Sequence, residues 1–376
     1  MNKNINVNFV DLSRQRLSLD GAIEKAISNV LEHGKYIQGP EVSQFEEDVK
    51  AFCNVSDVVA CANGTDALSL ALMAYNIKQD DVVFVPSFTF TSTAEVVCLA
   101  GAAPYFIDVK DDTYNIDIED LIENIKEVER KGLNAKAVIA VDLFGLPADY
   151  DHLENICKEY GLLLIVDAAQ SFGSIYKERK TGALGDITTT SFFPAKPLGC
   201  YGDGGAILTN DSVIADKLRS LRVHGKGTDK YDNIHIGMNS RLDTIQAAIL
   251  IEKLKIYAGE ITSRNRIASK YSSALCDDVV IPFVPKGLTS VWAQYTIQLE
   301  EIQRETVISS LKEKEIPSAV YYPKPLHLQT AYQSFLSSVN GMEVSEKLSK
   351  ICLSIPIHPY LTDEEQEFVI DVIKSV

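Results

Sequence analysis

Long apolar runs are missing from this sequence: none approaches the roughly 20 residues that a bilayer-spanning helix requires. Positive charge is scarce as well, with 36 Lys and Arg against 52 Asp and Glu and a net charge of −16. A surface that acidic repels a phosphate backbone, which argues against nucleic acid as a partner and lets an anionic small ligand bind only where cations gather locally. The seven cysteines (53, 61, 98, 157, 200, 276 and 352) are odd in number and stand at no metal-ligand spacing. Several lie in apolar runs such as Val96-Val97-Cys98-Leu99, the pattern of buried free thiols in a reducing compartment. The opening Met-Asn-Lys-Asn-Ile-Asn-Val-Asn lacks the apolar block of a secretory signal. No G-x-S-x-G elbow and no H-E-x-x-H motif occurs, and Gly202-Asp203-Gly204-Gly205 precedes a strand pattern instead of opening a helix, unlike a dinucleotide fingerprint. His224 and His235, eleven positions apart in a polar loop, do not read as metal ligands. The expectation is a soluble cytoplasmic protein with no metal, membrane or nucleic-acid partner.

What the sequence does hold is a large core. Its 376 residues are 46% hydrophobic, enough for two domains. Apolar positions recur at helical spacing from Ala22 to Leu31, with His33-Gly34 as a stop, and again over Val42 to Phe52. Short apolar runs then alternate with helical stretches. The runs are Val82–Val85, Tyr105–Val109, Ala137–Val141, Leu162–Val166 and Ala206–Thr209; the helices are Thr65–Tyr75, Thr91–Gly101, Ile118–Lys131 and Tyr150–Tyr160. Fully apolar strands spaced by helices predict an α/β fold with a mostly parallel sheet covered on both faces. From Arg241 the pattern changes to two helices, Leu242–Tyr257 and Thr262–Cys276, and then to short segments of a smaller α+β domain. The boundary is expected at 250, giving a large domain over 1–250 and a small C-terminal domain over 251–376.

In such sheets ligands sit beyond the carboxyl ends of the strands, so the residues after each apolar run carry the chemistry. Leu162–Val166 runs into Asp167-Ala168-Ala169-Gln170. A carboxylate there is a turn or cap residue, or else the partner of a protonated ring nitrogen. Ala62-Asn63-Gly64-Thr65-Asp66 opens a helix; it is either an ordinary N-cap or a set of free amides that hold a phosphate. Lys196 lies in Phe192-Phe193-Pro194-Ala195-Lys196-Pro197-Leu198-Gly199, whose stiff apolar setting favours the neutral amine over a solvated ammonium. Strand-end carboxylate, phosphate cup and desolvated lysine together make up the parts of a pyridoxal-phosphate site.

Ser191-Phe192-Phe193-Pro194-Ala195-Lys196, Asp167-Ala168-Ala169-Gln170 and Asn239-Ser240-Arg241-Leu242-Asp243 resemble the DegT/StrS nucleotide-sugar aminotransferases. The likeness begins at Phe9-Val10-Asp11-Leu12, continues through Gly34–Pro40 and ends at Pro356-Ile357-His358-Pro359-Tyr360. Within that family, residues 196–206 and 239–248 look most like enzymes acting on UDP-2-acetamido-2-deoxy-3-oxo sugars, especially the glucuronate. The resemblance implies the aspartate-aminotransferase fold (fold type I) and a pyridoxal 5′-phosphate cofactor. It further implies a homodimer with shared sites, and amino transfer from glutamate, leaving 2-oxoglutarate, to a nucleotide-linked keto sugar in lipopolysaccharide O-antigen biosynthesis.

The same likeness makes Lys196 the residue that binds the cofactor's aldehyde and Asp167 the partner of its pyridine nitrogen. Gln170 lies near the ring hydroxyl, and Gly64, Thr65 and Ser191 hold the phosphate. Phe90 stacks on the ring (its other reading is plain core), Asn239 reaches the partner's phosphate, and Arg241, Tyr321, Tyr322 and His327 face the substrate. Arg222, Lys226, Lys230 and Arg241 are the cations near the interface loop, available to a sugar diphosphate. Tyr321-Tyr322-Pro323 departs from the His-Tyr-Pro of close relatives and so removes a titratable group from that position. The competing readings are a 4-keto UDP- or dTDP-sugar transaminase, a pyridoxal-phosphate dehydratase, and a non-catalytic protein on the same fold; the presence of Lys196 favours transamination.

Overall fold

The computed structural model describes residues 5–229 and 231–376. Among the described residues, seven strands form the central sheet: β1 (Asp57–Cys61), β2 (Asp81–Pro86), β3 (Ala103–Ile107), β4 (Asn134–Val141), β5 (Leu163–Asp167), β6 (Ile187–Ser191) and β7 (Gly205–Thr209). Their spatial order is β1-β7-β6-β5-β4-β2-β3. Neighbours from β6 through β3 pair in parallel, whereas β7 runs antiparallel to both β1 and β6. The period of two along each strand sends alternate side chains to opposite cores. Val83 and Val85 pack on one face with Phe106, Ile139 and Ile165, while Val82 and Phe84 pack on the other with Tyr105, Val138 and Leu164. Burial on both faces explains why these strands read as unbroken apolar runs.

The helices are α1 (Leu12–Ser18), α2 (Ala22–His33), α3 (Pro40–Cys53), α4 (Gly64–Ala74), α5 (Ser92–Leu99), α6 (Ile118–Arg130), α7 (Tyr150–Tyr160), α8 (Ser212–Leu221), α9 (Thr244–Leu275), α10 (Glu301–Glu313), α11 (Glu343–Ile351) and α12 (Asp363–Lys374). Helices α4, α5 and α8 supply one layer, and α6 and α7 the other. No helix among the described residues is long and apolar enough to cross a membrane.

The sequence reading names no element at β1, α1, α8 or α11, and two further differences are instructive. The helices expected at Leu242–Tyr257 and Thr262–Cys276 are a single 32-residue helix, α9. No proline interrupts it, and a Cβ on Gly259 would meet nothing within 4 Å, so it is a neutral surface position and not a stop. The boundary expected at 250 therefore falls inside a continuous helix. The core that α9 serves changes further on: Ala247, Leu250, Tyr257 and Ile261 pack with α3 and β7, whereas Ile267, Tyr271 and Leu275 join the C-terminal core. That second core holds an antiparallel pair, β8 (Tyr295–Gln298) with β9 (Cys352–Ile355), together with α10 and α12, and the N-terminal Val7 crosses over to join it.

Strand β6 is the other surprise, because Ile187-Thr188-Thr189-Thr190-Ser191 is too polar to announce itself. Its threonines are buried with their hydroxyls satisfied by backbone: Thr188 donates to the carbonyls of Leu184 and Thr181, Thr189 to Val166 and Thr190 to Ala168. Each polar atom has a partner, so burial carries little penalty, and the β-branched side chains suit the strand.

Candidate active site

The carboxyl ends of β5 and β6 lie side by side in parallel register, with Asp167 opposite Thr189. Beside them α4 begins. Asn63 caps it: Oδ1 accepts the Asp66 N–H at 2.8 Å, and the Asn63 carbonyl accepts the Ala67 N–H at 3.0 Å. The amides of Gly64 and Thr65 are left as the outward-pointing donors that every helix start carries. A Cβ on Gly64 would stand 2.7 Å from Ser191 Cβ, and one on Gly205 would stand 2.4 Å from the Asn63 carbonyl oxygen. These contacts hold the turn tightly between β6 and β7, so both glycines serve close packing first. Ser191 Oγ accepts the Phe193 N–H at 3.3 Å, which keeps its own proton available to a ligand. Two amides, a hydroxyl and a helix N-terminus make a cup suited to a phosphate.

Asp167 closes β5 and is only 6% exposed. Its carboxylate accepts the Ala169 N–H at 3.1 Å and, at the limit of hydrogen bonding, the Thr93 hydroxyl at 3.5 Å. Burial raises its proton affinity; the Ala169 amide, the Lys196 charge and the Thr93 hydroxyl oppose that rise. Lys196 shows the mirror image, with desolvation lowering the ammonium's pKa and the Asp167 charge opposing it. A buried carboxylate this short of donors is suited to a cationic N–H, and a lysine held toward its neutral form is suited to an aldehyde. The lysine's backbone is fixed. The Lys196 N–H donates to the Phe193 carbonyl at 2.8 Å, the Cys200 N–H to the Phe192 carbonyl at 2.8 Å, and the buried Lys253 ammonium to the Gly199 carbonyl at 2.6 Å.

Gln170 uses both ends of its amide: Oε1 accepts the Phe144 N–H at 2.6 Å, and Nε2 donates to the Tyr322 hydroxyl at 3.3 Å. Phe90 is no core residue. It is 55% exposed and tilts toward Tyr322, with ring centroids 6.5 Å apart. Tyr321 is half-buried, edge-on to Phe9.

Farther out, Ser240 ties the loop of Asn239 and Arg241 to the cup by accepting the Ala62 N–H at 3.1 Å. Asn239 itself is exposed and Arg241 half-buried. Arg222 does not belong among the free cations. It is buried, paired to Glu46 at 2.5 Å and bonded to the Ala60 carbonyl at 2.6 Å, so its charge is spent on the fold. Lys226 is exposed, and Lys230 lies outside the described residues. His327 has partners of its own within the chain. Nδ1 meets Ser87 Oγ at 2.7 Å and Nε2 meets Glu346 at 3.3 Å, so both nitrogens are engaged within the chain. It fastens the C-terminal segment to the loop that carries Phe90. Thr93, Lys253 and Asp142 escaped the sequence reading. Asp142 was the most accessible of them, since it ends the Ala137–Val141 run just as Asp167 ends its own.

A parallel sheet that offers an amine, a buried carboxylate and a phosphate cup along one edge defines a pyridoxal-phosphate-dependent enzyme. The chain belongs to the DegT/DnrJ/EryC1/StrS aminotransferase family, whose model matches residues 18–374. It is 42% identical to the UDP-2-acetamido-2-deoxy-3-oxo-D-glucuronate aminotransferase of Pseudomonas aeruginosa over 356 residues, covering 94% of this chain and 96% of that one. It is 37% identical to the UDP-N-acetyl-3-dehydro-alpha-D-glucosamine 3-aminotransferase of Acidithiobacillus ferrooxidans, covering 100% of this chain and 99% of that one. Among solved structures, a DegT/DnrJ/EryC1/StrS aminotransferase from Brucella abortus superposes with a TM-score of 0.97 at 50% identity, covering 98% of this chain and 99% of that one. The protein is an aminotransferase, and its cofactor is pyridoxal phosphate.

Proposed function

We propose that the enzyme moves the amino group of glutamate to the C3 ketone of a UDP-linked 2-acetamido-2-deoxy-3-oxo hexose or its uronate. The observation that carries this reading is the neighbouring pair of Lys196 and Asp167, each desolvated and each acted on by the other's charge. The two curated relatives named above supply the substrate class, because both act on UDP sugars oxidised at the 3-position.

When bound, the cofactor supplies an aldehyde that condenses with amines and a ring that accepts the electron pair left on carbon as a proton departs. This chain's residues do the rest. The amides of Gly64 and Thr65 and the Ser191 hydroxyl hold the phosphate, and Phe90 and Gln170 orient the ring. Asp167 accepts the hydrogen bond from the ring nitrogen and keeps that proton in place. Lys196 Nζ, which desolvation biases toward the neutral amine, takes the proton from the α-carbon of glutamate and returns it on the other side of the transfer. In the second half-reaction it reverses the shuttle at C3 of the sugar. Arg241, Tyr321 and Tyr322 line the substrate's side, and Tyr321 meets it with a hydroxyl in place of an imidazole.

Two copies share each site, with the exposed Asn239 reaching the partner's phosphate cup. Ile234 and Ile236 on the same loop, 58% and 93% exposed, would be covered in such a pair. The reaction runs in the cytoplasm and supplies amino sugars for surface polysaccharide such as the lipopolysaccharide O-antigen.

Mass spectrometry of products from a panel of UDP- and dTDP-linked 3- and 4-keto sugars tests the assignment. The expected outcome is an amino sugar only from UDP 3-keto substrates and only with glutamate. A 4-keto preference would move the ketone, and water loss without a donor would show dehydration instead.

A further inference from the structure

Strand β4 ends as β5 does, with a carboxylate that the proposed function leaves unused. Asp142 follows Val141, the register partner of Asp167, and its N–H donates to the Asp167 carbonyl at 3.1 Å. The side chain is fully buried. Oδ1 accepts the Ala148 N–H at 2.9 Å and the Tyr150 hydroxyl at 2.5 Å, and Oδ2 accepts the Ser171 hydroxyl at 2.6 Å. Ser171 is the residue after Gln170, so this bond pins the far end of the turn that begins at Asp167.

Buried carboxylates ordinarily sit against a cation. The groups that face Asp142 are Ser171 and Asp167 from the β5 side, and Ala148 and Tyr150 from the start of α7; Glu154 acts on Tyr150, and no cation is among them. Tyr150 is itself fixed, edge-on to Tyr176 with centroids 5.6 Å apart. Burial pushes the Asp142 carboxyl up to about 7, against the pull of the Ser171, Tyr150 and Ala148 donors. The cation that acts on the neighbouring Asp167 is Lys196, from the β6 side.

We propose that Asp142 is a positioning residue for Asp167: it fixes the Asp167–Ser171 turn and adds negative potential behind that carboxylate, strengthening its hold on the proton it shares with the cofactor ring. The inference rests on the reading that Asp167 meets the ring nitrogen. As Asp142 gives up its proton through about pH 7, its negative charge next door makes Asp167 a stronger proton acceptor and stabilises any positive charge that the pair faces.

The test compares native protein with Asp142→Asn and with Tyr150→Phe, which keeps the carboxylate but removes one donor that favours its charged form. The first readout is the pH midpoint of the bound cofactor's visible absorption. Both variants are expected to move it downward, Asp142→Asn by about half a unit or more. The second readout is the melting temperature of the cofactor-free protein against pH. The native carboxyl binds its proton more tightly when folded than unfolded, so its contribution is present at low pH and is lost as pH rises through about 7. Asp142→Asn is therefore expected to gain on the native protein between pH 4 and 7, whatever its constant offset. Unmoved midpoints in both variants, or melting curves that stay parallel to the native one, overturn the proposal. A native protein with no cofactor band would overturn the reading of the site itself, and the melting comparison would still decide whether Asp142 carries a charge.

Discussion

Replacing Lys196 with alanine abolishes turnover while leaving the fold intact. The residue is half-buried and its amine desolvated, and among the described residues its charge is opposed by that of Asp167, so its removal takes little from stability. The turn that carries it is held by backbone bonds from residues 196 and 200 and by Lys253, all of which the substitution spares. Catalysis loses both the covalent anchor and the base that moves the α-proton. General-base removal alone costs about a hundredfold to ten-thousandfold, and the loss of the anchor adds to it. The expected single-turnover rate is down by at least about a thousandfold, roughly 4 kcal/mol in barrier, with a melting temperature near that of the native protein. A Lys196→Ala enzyme that transaminates at an ordinary rate removes the lysine from its role.

Asp167→Asn separates cofactor binding from chemistry. Asparagine matches aspartate in shape, and the Ala169 N–H can still donate to its carbonyl oxygen, so the turn and the phosphate cup survive. An amide carries no charge, however, and cannot hold a proton on the ring nitrogen. Each unit of proton affinity lost there is about 1.4 kcal/mol, so a fall of roughly three units corresponds to about a thousandfold in rate. The variant is expected to retain the cofactor through the cup of Gly64, Thr65 and Ser191 and to turn over at a small fraction of the native rate. Near-native kcat would show that ring protonation is not controlled at this carboxylate. Burial raises the carboxyl's proton affinity and lowers that of Lys196, so the two groups are drawn toward each other in their titration.

The fold was legible where burial leaves a periodic trace. Strands β2 to β5 and β7, sealed on both faces, read as apolar runs, and most of the helices between them followed. Strand β6 was not legible because its hydroxyls are satisfied by backbone contacts that only the folded chain creates. The break expected between Tyr257 and Thr262 does not occur, because α9 has a core to pack against on each half. For the site, the strand-end rule found Asp167 and, applied evenly, would also have found Asp142. Arg222 was misread because its residue type suggests a ligand, yet Glu46 and the Ala60 carbonyl engage it; His327 likewise has intrachain partners, Ser87 and Glu346, that the sequence does not reveal. Sequence shows which groups carry charge or protons, but it does not show which are already spoken for within the chain.

The account turns on which amine meets the cofactor's aldehyde. Among the described residues, two desolvated lysines have lowered proton affinity: Lys196, and Lys253, which burial brings to about 8. Of the two, Lys196 acts on the Asp167 charge, whereas Lys253 is bonded to the Gly199 carbonyl and covered by the Tyr201 ring. Borohydride reduction of the cofactor-loaded protein, followed by peptide mapping by mass spectrometry, distinguishes them directly. The predicted result is a single reduced adduct per chain on the peptide containing Lys196. An adduct on Lys253 or another lysine, or no adduct on a yellow protein, would contradict the account.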